Sequence, residues 1–293
     1  MVTKTGTIRV GQFSESPVLA IARELKLDQK YDLEWETERV PSSPSQFESL
    51  RQGSIDIAIT SPDNVMLYGT NSDNPLQTKL DLRVLRSIDR GLGLALYTSA
   101  DIASPRDLAG TKIGVDVPNS GFAFLLFAML SKLGVERAEY ELEAIGATPK
   151  RLSAMTDGIV SGTVLNAETA VAAENQGLTK WATSKDVSDN YLGTVLVHVA
   201  GQESEEVARF VKLWQEATEA ILSFSPEKLR GLLAAKNPQL ADSQYISLLQ
   251  SEDYGLLLDP RVSIQQLEIL AAIRAEFGAY RPSDKALADL LAM

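Results

Sequence analysis

Cysteine is absent from this chain, and histidine occurs once, as His198. The first absence excludes disulfides, thiolate metal sites and a cysteine nucleophile. The second leaves no set of histidines for a metal centre or a two-histidine mechanism, and neither a metal nor a cofactor is expected. A Ser-His-Asp triad stays arithmetically open, but no G-x-S-x-G elbow is present to carry its serine. Basic residues are outnumbered, 28 Lys and Arg against 39 Asp and Glu, for a net charge of -11. That argues against nucleic acid or an anionic membrane surface as the main partner, since both require clustered positive charge. No apolar run reaches membrane-spanning length, and the opening MVTKTGTIRVGQ has no apolar core of a secretion signal. The expected location is periplasmic or extracytoplasmic if a leader has been removed, and cytoplasmic otherwise. Nucleotide fingerprints are missing as well. GLGLAL at Gly91 lacks the third glycine and the following helix of a dinucleotide site, and no Walker pattern occurs.

What is present reads as an ordinary globular α/β chain. Its 293 residues, 44% hydrophobic and 23% charged, are many for a single core, so two domains are expected. TIRVGQF reads as a strand, SPVLAIARELKL as a helix and YDLEWETERV as a strand alternating at Leu33, Trp35 and Thr37. SPSQFESLRQG is a helix closed by Gly53, SIDIAIT a buried strand, and SPDNVMLYG a helix capped by Ser61 with Pro62 behind it. LRVLRSIDR and GLGLALYTS follow as strands. The alternation then restarts at DLAGTKIGVDV and passes through the helix SGFAFLLFAMLSKLG, the strand AEYELEAIG and the helix TPKRLSAMTDG, with Thr148 as its cap. IVSGTVLN, AETAVAAENQG, TKWATS and YLGTVLVHVAG continue as strand, helix, strand, strand. From there to the end the pattern is helical, and Val207, Phe210, Val211, Trp214 and Ala217 form one apolar stripe. Such order predicts mostly parallel sheets covered by helices.

In open α/β sheets ligands collect beyond the carboxyl ends of the strands, where helix N-termini offer unpaired N–H groups. Here those ends carry Gln12, Phe13, Ser14 and Glu15, then Ser61, Asp63 and Asn64, then Asn119 and Ser120, then Asn166. The simplest account of any one elbow is a helix cap, but their recurrence on one predicted edge points to a site. Arg90 follows Asp89 at a strand end and suits a carboxylate, sulfonate or phosphate, or else a surface salt bridge. Glu15, Asp63, Asp89 and Asp116 together suit a cationic or amine-bearing ligand. His198, inside the apolar TVLVHVAG, reads first as a structural histidine.

The phrases SLRQGSIDIAITSPDNVMLY, DLAGTKIGVDVPNSGFAFLLFAMLSKLGV and VLVHVAGQESEEVARFVKLWQEATEAI, in that order, resemble type 2 periplasmic binding proteins. The closest likeness is to the SsuA/THI5-like, or NMT1-like, branch of substrate-binding proteins of ABC transporters. It runs from about Thr7 to Leu222. The resemblance implies two α/β lobes joined by two crossover strands, residues 1–98 plus 198–293 forming one and 99–197 the other. A small sulfonate, carboxylate or pyrimidine-like solute would lie in the cleft. Gln12, Phe13, Ser14, Ser61 and Asn64 would hold it from one lobe, and Asn119, Ser120 and Asn166 from the other, with hinge closure and an ABC permease as partner. The same fold also carries cytoplasmic enzymes. The alternative is therefore a cofactor-independent decarboxylase or isomerase acting on a small acid, with His198, Glu15, Asp63 or Asp116 as acid or base. A ligand-sensing module that docks on another protein is a third class, for which no docking motif argues.

Overall fold

The structure is a computed structural model that describes residues 6–278 and 280–292. Two five-stranded sheets organise the chain. The first holds β1 (Thr7–Gln12), β2 (Glu34–Arg39), β3 (Ile57–Thr60), β4 (Leu82–Asp89) and β10 (Thr194–Val199), in the order β2-β1-β3-β10-β4. The second holds β5 (Ala95–Thr98), β6 (Lys112–Val115), β7 (Glu141–Ala144), β8 (Gly162–Leu165) and β9 (Thr179–Thr183), in the order β7-β6-β8-β5-β9. Helices α1 (Pro17–Glu24), α2 (Leu27–Tyr31), α3 (Ser43–Gln52) and α4 (Pro62–Thr70) connect the strands of the first sheet. In the second part come α5 (Gly121–Lys132), α6 (Thr148–Thr156), α7 (Ala167–Asn175) and α8 (Ser184–Val187). After β10 follow α9 (Glu205–Ser223), α10 (Pro226–Leu233), α11 (Ser243–Leu249), α12 (Ile264–Glu276) and α13 (Asp284–Leu291).

Each sheet is mixed. β1 is parallel to β2 and β3, while β10 is antiparallel to β3 and β4. β6 is parallel to β7 and β8, while β5 is antiparallel to β8 and β9. The reversed strand of each sheet is the one that arrives from the other sheet. The chain crosses at 90–94 to enter β5 and returns at 188–193 to enter β10. Crossings this short cannot loop back to the far end of a sheet, so the incoming strand pairs antiparallel. Residues 95–98 thus belong to the second sheet and residues 194–197 to the first.

Local chemistry explains most boundaries. Ser16, Ser42 and Ser61 cap α1, α3 and α4, each with a proline in the first turn, and Gly53 closes α3 at φ 67°. Other boundaries depart from the expected ones. The helix expected through Leu27 stops at Glu24, because Lys26 takes φ 55° and starts α2 afresh. Thr148 is the first residue of α6, with Ala147 as its cap, so the capping role expected of Thr148 is not observed. The short α8 and α11 were not expected.

One core packs α1 and α9 to α11 against the first sheet, with Val10, Ile21, Phe210, Trp214 and Ile246 at its centre. A second joins the two sheets through Phe47, Leu82, Leu126, Phe127 and Leu270. A third, smaller one lies behind the second sheet around Tyr97, Met155 and Leu165.

Candidate functional site

The strand ends of both sheets converge on one cavity, with about 910 Å³ of empty space counting its open mouth. From the first sheet, Phe13, Ser14 and Glu15 follow β1, and Thr60, Ser61 and Asn64 end β3 and begin α4. From the second, Asp116 and Ser120 lie between β6 and α5, Thr148 and Arg151 open α6, and Asn166 and Glu168 open α7. The crossings add Asp89, Leu92 and Thr194, and the C-terminal helices add Trp214 and Tyr245. The mixture of apolar walls with a few polar groups is that of a small-molecule site.

Polar groups in this lining have donors and acceptors to spare. Among the described residues, Trp214 Nε1, the Tyr245 and Ser120 hydroxyls, Arg151 Nε and Glu168 Oε2 find no partner. Buried polar atoms are ordinarily hydrogen-bonded, so these unmet groups are free to bind a polar guest. The backbone is strained at the same spot. Leu92 and Ala167 take φ 48° and 52°, and the Ala167 N–H donates to the Leu92 carbonyl at 2.7 Å. Left-handed non-glycine residues cost roughly 1–3 kcal/mol each and cluster at ligand clamps.

Burial shapes the charges. Asp89, 1% exposed, accepts hydrogen bonds from the Gly91 N–H at 2.7 Å and from the Thr194 hydroxyl, and burial raises its pKa to about 6. Burial also raises the Glu168 carboxyl, opposed by the Ser14 hydroxyl. Arg151 is lowered to about 10 by burial, with Asp116 opposing. Its terminal nitrogens donate to the Gly146 and Val164 carbonyls at 2.9 and 3.1 Å and to the Thr148 hydroxyl at 3.1 Å, while its Nε stays without a partner among the described residues.

Hydrogen bonds join the two sheets beside the cavity. The Ser43 N–H, at the start of α3, donates to Asp116 at 3.1 Å. The Gly121 N–H, at the start of α5, donates to Asn64 Oδ1 at 3.1 Å. The Ala147 N–H donates to the Pro41 carbonyl at 3.0 Å. Each joins a segment of the first sheet to one of the second.

The sequence model of the NMT1/THI5 like family matches residues 32–228, well over half of the chain. The chain belongs to the NMT1/THI5-like family. The alkanesulfonate-binding protein SsuA from Xanthomonas axonopodis pv. citri, bound to MOPS, superposes with a TM-score of 0.78 at 16% identity, covering 99% of this chain and 99% of that one. The periplasmic nitrate-binding protein NrtA from Synechocystis PCC 6803 gives 0.76 at 12% identity, covering 98% and 85%. The CA3427 gene product of Candida albicans, described as having the generic periplasmic binding protein fold, gives 0.69 at 14%, covering 97% and 94%. At such identities the likeness shows the fold. No curated protein matches the chain.

In this NMT1/THI5-like chain the expected residues divide into two groups. Phe13, Ser14, Glu15, Ser61, Asn64, Asp116, Ser120 and Asn166 all line the cavity. The others stand outside it. Gln12 is buried just before the elbow. Asn119 turns its carbonyl to Arg274 at 2.9 Å. Arg90 lies in a separate surface depression with Asn190, Asp259 and Arg261, so the cavity lacks the anion fork expected there. Asp63 is locked in a buried two-point pair with Arg274, at 3.0 and 2.6 Å. His198, 2% exposed, lies on β10 outside the cavity. Burial and Arg83 lower its pKa against the opposing effect of Glu203, 3.9 Å away. Sequence reasoning missed Arg151, Glu168, Trp214 and Tyr245 as lining residues. Trp214 carried only the signal of an apolar stripe, and nothing local distinguishes Tyr245.

Proposed function

We propose that this chain is a solute-binding protein of the ABC-import type, which closes two α/β lobes on a small organic solute and releases it unchanged to a permease. The lobes follow the two sheets and exchange at the crossings 90–94 and 188–193. The observation that carries this reading is the cavity itself, lined from the strand ends of both sheets and bridged by hydrogen bonds between them. The family and the folds of the solute-binding neighbours support it. Among the described residues no helix is long and apolar enough to cross a membrane. We place the protein outside the cytoplasmic membrane on the same grounds of family and fold. Of the acid–base residues weighed for an enzyme, Glu15 and Asp116 line the cavity, while His198 lies outside it and Asp63 is held by Arg274, so the chain's one histidine is not at the site.

The test is thermal-shift screening against small sulfonates, carboxylates, amines and pyrimidines, with mass spectrometry of every hit after incubation. A stabilising compound recovered at its original mass is expected. A hit converted into a new mass would replace the receptor reading with the enzymatic one.

A further inference from the structure

The charges around the cavity bear on what enters it. Among the described lining residues, Arg151 stands alone against the carboxyls of Glu15, Asp89, Asp116 and Glu168. Arg151 offers an anion no two-point fork, because both terminal nitrogens already serve protein acceptors and Nε alone is without a partner among the described residues. One of the carboxyls has a cation of its own. Glu15 pairs with Arg39 at 3.4 Å, and Asp116 receives the start of α3. Asp116, Asp89 and Glu168 belong to no ion pair among the described residues, and of these Asp89 also accepts from the Gly91 N–H and the Thr194 hydroxyl. A buried carboxyl with no cation beside it is costly unless a cation is supplied.

The segments that carry Asp89 and Glu168 meet at the cavity, where the Ala167 N–H donates to the Leu92 carbonyl at 2.7 Å. Tyr245, itself 1% exposed, has its pKa raised by burial and then by the charges of Glu168 and Asp89 together. Next to them stand aromatic surfaces, Trp214 and Tyr245, with Phe13 and Phe122 also in the lining. Their π faces attract cations as well as flat apolar groups. The buried Trp214 N–H and Tyr245 hydroxyl, without partners among the described residues, are a second sign that a polar guest completes this wall.

We propose that the ligand is a small organic cation, an amine or amidine on a flat body that also carries a hydrogen-bond acceptor, whose charge is received by Glu168 and Asp89 and whose body lies against Trp214 and Tyr245. This rests on the receptor reading and narrows it away from the sulfonates and nitrate bound by structural neighbours.

Three probes of nearly equal shape make the test: benzylamine, benzyl alcohol and benzenesulfonate, each at millimolar concentration with the full chain at pH 7.5. Thermal shift, isothermal titration and mass spectrometry are read in parallel. Benzylamine is expected to bind, the alcohol to bind at least tenfold more weakly, and the sulfonate to give no shift. Glu168→Gln should weaken benzylamine at least tenfold while leaving the melting temperature of the free protein nearly unchanged. Asp89→Asn should do the same to affinity, and circular dichroism shows whether that variant still folds. Binding of benzenesulfonate alone overturns the charge assignment and leaves the receptor reading standing. Benzylamine that binds and is converted keeps the charge assignment and overturns the receptor reading. Silence from all three probes overturns both.

Discussion

A carboxyl buried as deeply as that of Asp89 makes stability depend on pH. Its ordinary pKa is 3.8 and burial raises it to about 6 in the fold. The folded state therefore holds the proton more tightly than the unfolded state. The stabilising contribution is complete below 3.8 and is lost as pH rises through about 6. The groups facing it are the Thr194 hydroxyl, the Gly91 N–H, Tyr191 and Tyr245, none of which is a cation. Other carboxyls titrate in the same range, so the observable is a difference. The melting temperature of the native chain relative to Asp89→Asn should fall as pH goes from 4 to about 6.5, and a flat difference would remove the argument. Arg274 gives a second prediction at this scale. It holds Asp63 at two points, donates to the Asn119 carbonyl and lies 4.4 Å over the Phe124 ring. Arg274→Met leaves Asp63 buried without its partner and should cost about 3–5 kcal/mol in urea unfolding. Adding Asp63→Asn should restore much of that, and a double variant no better than the single one would contradict the pair's role.

At the scale of elements, the start of α5 decides how closely the two sheets approach. Gly121 donates to Asn64, and a Cβ there would lie 2.6 Å from Ser61 Oγ and 2.7 Å from Asp63 Cβ. Gly121→Ala should therefore prop the α4–α5 junction open and weaken ligand binding about tenfold or more. Gly231→Ala, on α10 where a Cβ would meet nothing within 4 Å, should leave affinity unchanged. Equal affinities in the two variants would sink the idea of a tight junction. Elements of this kind were legible in the sequence where the signal is local. Serine before proline marks the caps of α1, α3 and α4, and the cavity's Ser14, Ser61, Ser120 and Asn166 all sit at such elbows. What stayed hidden depends on distance along the chain. Arg274 meets Asp63 across 211 positions, and Trp214 satisfies the apolar periodicity of α9 while also closing the cavity. The reversal of β5 and β10 follows from how the chain crosses, which no strand's own composition records.

For the molecule as a whole, the proposed receptor function couples ligand binding to an equilibrium between open and closed lobes, whose position the hydrogen bonds between the two sheets are expected to set. A ligand shifts such an equilibrium only by its differential affinity for the two states. Whatever the protein contributes to closure therefore adds to, or subtracts from, the apparent affinity. Asp116 is the charged member of these bonds, accepting from Ser43 at the positive end of α3. A hydrogen bond to a charged group contributes about 1.5–3 kcal/mol, so its loss should move the closed-to-open ratio by roughly ten- to a hundredfold. Asp116→Ala is accordingly expected to increase the radius of gyration of the ligand-free chain in small-angle scattering. Asp116→Asn keeps an acceptor but loses the charge, and should fall between that variant and the native chain. Because the measurement is made without ligand, it reads closure separately from any contact that Asp116 makes inside the cavity. Three superimposable scattering curves would mean that the bond follows closure and does not drive it, and the ligand alone would then have to bring the lobes together.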